Sequence, residues 1–427
     1  MPSLSNNLMA VPRQWDRSLL LVWSCLLLLP VGRSVELPTA IMAVTAGVLW
    51  YRGNLSPGAD RYRAFTLAFF LVWIPMLISV PDAVLPAEAL RVTGLYLRFY
   101  FAGLFIIWAI DSTARRDLLL RLTAWLLLLW IIDALIQFVF GFDLFGQAYP
   151  IEHLTGPFGP KLKLGLVLTT LSPFLLSWAR EQLPGWAGLL VLGLLLFVIM
   201  ASGSRGSWVM FAIVLSSYFI LFLQQHRAAA ARYLTLAIAS ALLITTLAYH
   251  YAPPITARVD RTLLLFSGDT ALVNQALSYR LPIWSHALEM IGDHPVNGVG
   301  VRNFRDAYPD YAVADDFFLD NDTVPHHPHQ ILLEFTAEAG LIGLAGLIGL
   351  YLLLIRAWGK AAPRQRRLAL PAGVGLLAWL FPLNTGVALF SSFWGQLIWW
   401  LAALYFALLS IHGMKPPASA TKPSPRP

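Results

Sequence analysis

Cysteine is nearly missing from this chain of 427 residues: there is one, Cys25, in the first apolar run, so no intramolecular disulfide can form. Charge is scarce as well. Charged residues make up 12% of the chain against 58% hydrophobic, and mean hydropathy is +0.65. A soluble domain of this size would carry far more charge, which leaves a polytopic membrane protein. The formal charge of +7 invites a nucleic-acid reading, but the placement of the charges argues against nucleic acid as a partner. No internal repeat is visible in the spacing of the apolar runs. No small-x-small cleavage site stands clearly after Arg13, Arg17 and the stretch Leu19 to Leu29, so the opening is expected to be an uncleaved first span.

Apolar sequence is what the chain has in quantity. Runs long enough to cross hydrocarbon, about 17–25 residues each, fall at 18–32, 37–51, 64–80, 93–110, 118–141, 162–179, 186–201, 207–223, 233–252, 331–355, 368–390 and 393–412. Only a helix satisfies its own backbone in lipid without closing a barrel, so the expectation is an all-α fold of twelve membrane helices. Sixteen Trp and fourteen Tyr suit belts at the membrane interfaces. With the N-terminus inside, 19 of the 30 Lys and Arg fall on cytoplasmic segments. The other 11 are Arg33, Arg91, Arg98, Lys161, Lys163, Arg205, Arg258, Arg261, Arg280, Arg302 and Arg305. Five of these lie in one long loop, where the positive-inside rule has little force, so the contrast of 19 against 6 places both termini in the cytoplasm. The expected organisation is nine spans within 1–252, the loop at 253–330, three spans within 331–412, and a disordered Pro-, Ser- and Lys-rich cytoplasmic tail at 413–427.

The loop, expected on the non-cytoplasmic side, which for a bacterial inner membrane would be the periplasm, carries five Arg and ten acidic residues and is net acidic. Within it Leu281–Ile291 has the spacing of an amphipathic helix ending near Gly292-Asp293-His294-Pro295, and Asn297-Gly298 with Gly300 marks a turn. A small, mostly helical cap on the membrane is predicted.

Titratable groups concentrate where this loop re-enters the membrane. His326, His327 and His329 precede the helix predicted from Ile331, with Pro328 suited to its first turn. The positive end of that helix disfavours imidazolium and would keep a neutral imidazole available as a base. Gln330, Glu334 and Glu338 follow at i, i+4 and i+8 as one stripe, and a carboxylate within a span is a candidate for function or for helix packing. Arg205 lies in the polar break Ser202-Gly203-Ser204-Arg205-Gly206-Ser207, where small neighbours leave its guanidinium open to phosphate oxygens or free to snorkel. Arg280 follows Tyr279, and two converging arginines are what a diphosphate leaving group needs. Arg98 lies inside the fourth span, at about 2.5–3.5 kcal/mol of insertion cost, and Arg91 and Lys161 extend the same argument. A metal site of His326, His327, His329 with Asp315, Asp316, Asp320 and Asp322 is the rival reading, but the spacing fits no standard zinc pattern.

With those residues in view, the chain resembles the bacterial O-antigen ligase and polymerase superfamily. The resemblance rests on His327-Pro328-His329-Gln330 opening a Leu-rich helix with Glu338-Ala339-Gly340, on Ser204-Arg205-Gly206, and on Tyr279-Arg280 with Trp284. Asp293-His294-Pro295-Val296-Asn297-Gly298-Val299-Gly300 and Thr155-Gly156-Pro157-Phe158-Gly159-Pro160 add to it. Gln330 stands where Asn is usual, and Lys161 where Asn is commoner. The opening Leu29-Pro30-Val31-Gly32-Arg33-Ser34 looks most like the lipopolysaccharide ligases. The resemblance implies a GT-C-like glycosyltransferase of the inner membrane that takes a glycan from undecaprenyl diphosphate to a lipid A–core hydroxyl with inversion. His329, or else His327, would be the base. Arg205 and Arg280, with Arg98 and Lys161, would hold the diphosphate. No metal or other cofactor is expected. His326, Tyr279, Glu338 and Arg91 are further candidates. A polysaccharide polymerase and a membrane transporter stay open as alternatives.

Overall fold

The computed structural model describes residues 16–148, 153–159, 161, 163–229, 231–232, 235, 246, 253–313, 316–386 and 388–411. Most of the ninth expected span at 233–252, the 413–427 tail, Arg13, Pro160 and Asp315 lie outside them. Among the described residues the chain is helical, with one isolated antiparallel bridge between Phe142 and Ala148. The first half contains α1 (Arg17–Leu27), α2 (Glu36–Tyr51), α3 (Asp60–Ile78), α4 (Pro86–Ala109), α5 (Thr113–Phe140), α6 (Leu164–Gln182), α7 (Gly185–Ala201) and α8 (Arg205–Gln225). The loop carries α9 (Pro253–Leu263), α10 (Thr270–Ala276), α11 (Arg280–Asp293), α12 (Phe304–Tyr311) and α13 (Phe317–Asp320). Three helices close the chain: α14 (Ile331–Lys360), α15 (Pro363–Trp379) and α16 (Ser392–Leu409). Six of these helices, α3, α4, α5, α8, α14 and α16, are long and apolar enough to cross a membrane; α1 and α7 are apolar but shorter.

α16 is buried continuously from Gly395 to Leu408, which is why its sequence is apolar on every face. Its Trp399 ring lies 4.9 Å from Phe69 of α3, and the Trp399 indole N–H donates to the Tyr96 hydroxyl of α4 at 2.9 Å. Burying an indole without a partner would be costly, so this bond orients the aromatic layer. Small residues let backbones touch elsewhere: Gly346 of α14 packs on the Leu71 carbonyl of α3, where a Cβ would overlap it.

Two expectations are corrected. The run at 368–390 is not one helix: α15 stops at Trp379, and residues 380–386 and 388–391, with Pro382 and Gly386 among them, are not helical, with Asn384 bonded back to the Trp379 carbonyl. Pro328 does not occupy a first helical turn either. α14 begins at Ile331 with Gln330 as N-cap, so Pro328 belongs to the bent segment before it.

α14 breaks at Gly340, whose φ of 65° and ψ of −166° lie outside the helical region. Such a break would strand polar backbone groups in a membrane helix. The segment Pro295–Gly300 inserts into the break and satisfies them. Val299 and Gly300 N–H groups donate to the Ala337 and Glu338 carbonyls at 2.8 and 3.1 Å, and Leu341 N–H donates to the Pro295 carbonyl at 2.8 Å. A Cβ on Gly298 or Gly340 would collide with the opposite backbone, and both residues have positive φ. Gly340→Ala should therefore sharply reduce folded protein in size-exclusion profiles from mild detergent, since strain of about 1–3 kcal/mol adds to the collision. A normal monodisperse yield would contradict that role.

The same segment is stapled to the α3–α4 turn. Val84 N–H donates to the Val299 carbonyl at 3.0 Å, and Leu85 N–H donates to the Asn303 carboxamide at 2.7 Å. Residues 283–308 gather a small second core of Ile283, Ala287, Met290, Val299, Phe304 and Tyr308, closed by Ala337 of α14. The expected amphipathic helix is present as α11, burying Ile283, His286, Ala287 and Met290 and ending at the His294 cap.

Candidate active site

Three chain segments meet where the loop joins α14. The first is the start of α8. Ser204 caps this helix, and Arg205 is its first residue, so helix N–H groups and a guanidinium face the same space, an arrangement that favours an anion. Arg205 Nη2 donates to Ser278 Oγ at 2.7 Å.

The second segment is Ser278-Tyr279-Arg280. Ser278 and Tyr279 have φ of 57° and 58°, a left-handed pair without glycine. This sharp turn feeds directly into α11 and presents Arg280 beside Arg205. Tyr279 stacks on Phe317, ring centroids 4.2 Å apart, which anchors the turn to α13. Burial, together with the Arg205 charge, lowers the Arg280 guanidinium to about 10. Two guanidinium groups that repel each other in a half-buried place are stabilised by a multiply charged anion between them.

The third segment is His326-His327-Pro328-His329. The Trp284 indole N–H of α11 donates to the Pro328 carbonyl at 3.1 Å and fixes the segment against the cap. His329 has φ of 54°, and its N–H donates to His327 Nδ1 at 3.2 Å, with the two rings 4.0 Å apart. His327 Nδ1 is thus an acceptor, which fixes a neutral ring with its proton on Nε2. Burial is the main force holding His329 down, to about 4, with the Arg280 charge adding to it; a hydrogen bond with the Thr385 backbone partly offsets them. Burial likewise drives His327 well below the usual imidazole range, reinforced by His329 and Arg302. Desolvation and neighbouring cations thus push in the same direction as the positive helix end expected from the sequence. His326 is largely exposed, and partial desolvation with the Arg305 and Arg302 charges holds its imidazole below the usual range.

Beneath the histidines, Glu334 and Glu338 are fully buried. Phe390 N–H donates to Glu334 Oε1 at 3.3 Å, and Glu334 Oε2 lies 3.9 Å from His327 Nδ1, an electrostatic neighbour too far for a hydrogen bond. Arg302 N–H donates to Glu338 Oε2 at 2.8 Å, which ties the inserted segment to the helix below. Gln330 caps α14 through Leu333 N–H at 2.6 Å and donates to the Pro382 carbonyl at 2.9 Å. Its additional methylene, relative to Asn, lets one amide hold both.

Arg98, Lys161 and Arg91 do not enter this cluster's hydrogen bonds. They line a cavity of about 690 Å³ between α1, α2, α4, the start of α6 and the inserted segment. Sequence reasoning singled out neither Arg302, which lines that cavity and acts on His326 and His327, nor Lys163. Arg302 has φ of 64°; a loop arginine gave no sequence signal that the chain would turn there. Asp316, offered for a metal, instead accepts from Tyr308 at 3.0 Å and lies 3.3 Å from His286. Among the described residues no group of three His, Cys, Asp or Glu is disposed to hold a metal ion.

Trp284→Phe should keep the packing but lose the bond to Pro328, about 1 kcal/mol. A lower melting temperature in mild detergent is expected; an unchanged one would show that this tether does not hold the histidine segment against the cap.

No curated protein matches this sequence. Residues 190–348, which run from α7 through Arg205, Arg280 and His329 to the middle of α14, match the family model described as O-antigen ligase, a match that supports membership of the O-antigen ligase/polymerase superfamily.

Proposed function

We propose that the protein is a lipopolysaccharide O-antigen ligase. It transfers a glycan from undecaprenyl diphosphate to a sugar hydroxyl of lipid A–core, in a GT-C-like bundle of twelve spans. The reading places the protein in the inner membrane with its site facing the periplasm and both termini in the cytoplasm. The observation that carries it is that hydrogen bonds bring three segments together: Arg205 holds Ser278, two residues before Arg280, and Trp284, one turn after Arg280, holds Pro328, next to His329.

In this mechanism His329 takes the proton of the acceptor hydroxyl as its oxygen attacks the anomeric carbon. The bond from that carbon to the diphosphate oxygen breaks on the opposite face. Its electron pair stays on the departing polyprenyl diphosphate, and the configuration inverts. Arg205 and Arg280 hold the diphosphate and stabilise the charge that grows on it. Diphosphate binding also offsets the Arg280 charge that depresses His329, so the base strengthens when the donor is in place. His327 accepts the His329 backbone N–H and positions that segment.

Because the arginines supply the positive charge, transfer by the purified protein is expected to persist in chelator. Loss on chelation with recovery on adding Mg²⁺ would overturn that. Deleting the gene tests the reading itself. Loss of every glycan-capped lipopolysaccharide chain indicates a ligase, whereas a single repeat still attached to core indicates a polymerase of the same superfamily.

A further inference from the structure

The 690 Å³ cavity beside the histidines is lined by six basic side chains, Arg33, Arg91, Arg98, Lys161, Lys163 and Arg302, against two carboxylates, Glu36 and Glu88. The basic groups come from separate parts of the chain: the α1–α2 turn, α4, the approach to α6, and the inserted segment. Two of them are neutralised internally. Arg91 forks onto Glu88 at 2.6 and 2.8 Å, and Arg98 pairs with Glu36 at 2.9 Å and donates to Ser392. Among the described residues, the other four make no ion pair within the contact distance. Lys163 rests its ammonium 3.5 Å from the Phe393 ring centroid, and burial with the Lys161 charge brings it down to about 8.

Four cations collected in one cavity repel one another and focus a positive potential into it. The volume far exceeds what a single phosphate fills and falls within the range of pockets that enclose a whole headgroup. Apolar side chains Leu29, Val92, Leu95 and Phe393 line the same space. The neighbouring faces of α2 and α4 leave Leu37, Ile41, Val44 and Leu90 exposed, a surface for hydrocarbon chains. Basic side chains inside and an apolar surface alongside suit a phosphorylated amphiphile better than free phosphate.

We propose that this cavity is the acceptor's anion site, holding the phosphate groups of a phosphorylated disaccharide lipid while Arg205 and Arg280 hold the donor diphosphate separately. The inference rests on the transfer reading given above. Arg302 links the two places, because it lines the cavity and also acts on His327. An acceptor seated by its phosphates there lies beside the histidine segment.

The test uses the full-length protein in nanodiscs, with bis-phosphorylated lipid A and its phosphatase-treated form as probes, read by native mass spectrometry. The phosphorylated form should bind about tenfold or more tightly than the dephosphorylated form. In Arg33→Ala and Lys161→Ala proteins that elute normally on size exclusion, the difference should shrink toward none. Equal binding of both forms to the unaltered protein, or the same preference in both variants, would overturn the proposal. Displacement by millimolar inorganic phosphate would also overturn it, marking a free-anion site. In transfer assays the variants should raise acceptor KM about tenfold and leave donor KM unchanged; a rise in donor KM would assign the cavity to the donor. Phosphate-dependent binding without any glycan transfer would leave the site standing and refute the ligase reading, so the two failures are distinguishable.

Discussion

Replacing His329 with alanine is expected to lower kcat by about 10²–10⁴, the range associated with a positioned general base, while the protein still inserts and elutes normally. Because His329 has a left-handed backbone, His329→Asn is the better control: Asn tolerates that conformation and cannot take the proton at neutral pH. Near-native transfer by both variants would remove His329 from the chemistry. The pH dependence follows from the sign of the shift. Burial and Arg280 bring His329 down to about 4, so the neutral base is already present well below neutral pH. On the acidic limb kcat/KM should rise with pH through about 4 and then level, reporting the free enzyme. An inflection at the ordinary imidazole position, about 6.5, would contradict the environment described. Arg280→Ala removes one of the depressing charges and should move the inflection upward.

Arg280→Lys is the second large effect. Lysine keeps the charge but loses the planar fork that matches two phosphate oxygens. Removing one preorganised donor of this kind costs about 10²–10³ in kcat, and the lysine variant should approach that loss. Arg205→Ala should resemble Arg280→Ala, and the double variant should cost less than the product of the two, because in the proposed mechanism both groups serve one diphosphate. Strictly multiplicative losses would mean that the two arginines act on different atoms. Kinetics at saturating donor separate these outcomes from weakened binding. A wild-type kcat in Arg280→Lys would refute the bidentate contact.

Much of the candidate site was legible before any coordinates. Histidines just before an apolar run, an arginine among small residues between two spans and a Tyr-Arg pair before an amphipathic stretch are local anomalies, visible against a sequence nearly devoid of charge. The described residues contain the Leu281–Ile291 helix and most of the expected apolar helices, since periodicity and run length are local properties. The 368–390 run was misjudged because Pro382 and the Asn384 backbone contact end α15 within a segment that is apolar throughout. The break in α14 was not legible either. Glycine within a membrane helix is ordinary, and nothing near Gly340 announces that Pro295–Gly300 will fill the gap.

Sequence alone thus marked the chain as a helical membrane protein, placed most of the apolar helices found among the described residues and nominated a short list of candidates for handling an anion and a proton. Those are composition and spacing, which a chain carries with it unfolded. Tertiary structure decided which of them meet. It tied Arg205 to the turn before Arg280 and the helix after Arg280 to the segment of His329, sent Arg91, Arg98 and Lys161 to a separate cavity with Arg33, Lys163 and Arg302, and turned a glycine-rich loop motif into the plug of a broken helix. Contacts between residues far apart in the chain depend on how helices pack and where backbone groups must find partners, and neither is written in any one stretch of the chain.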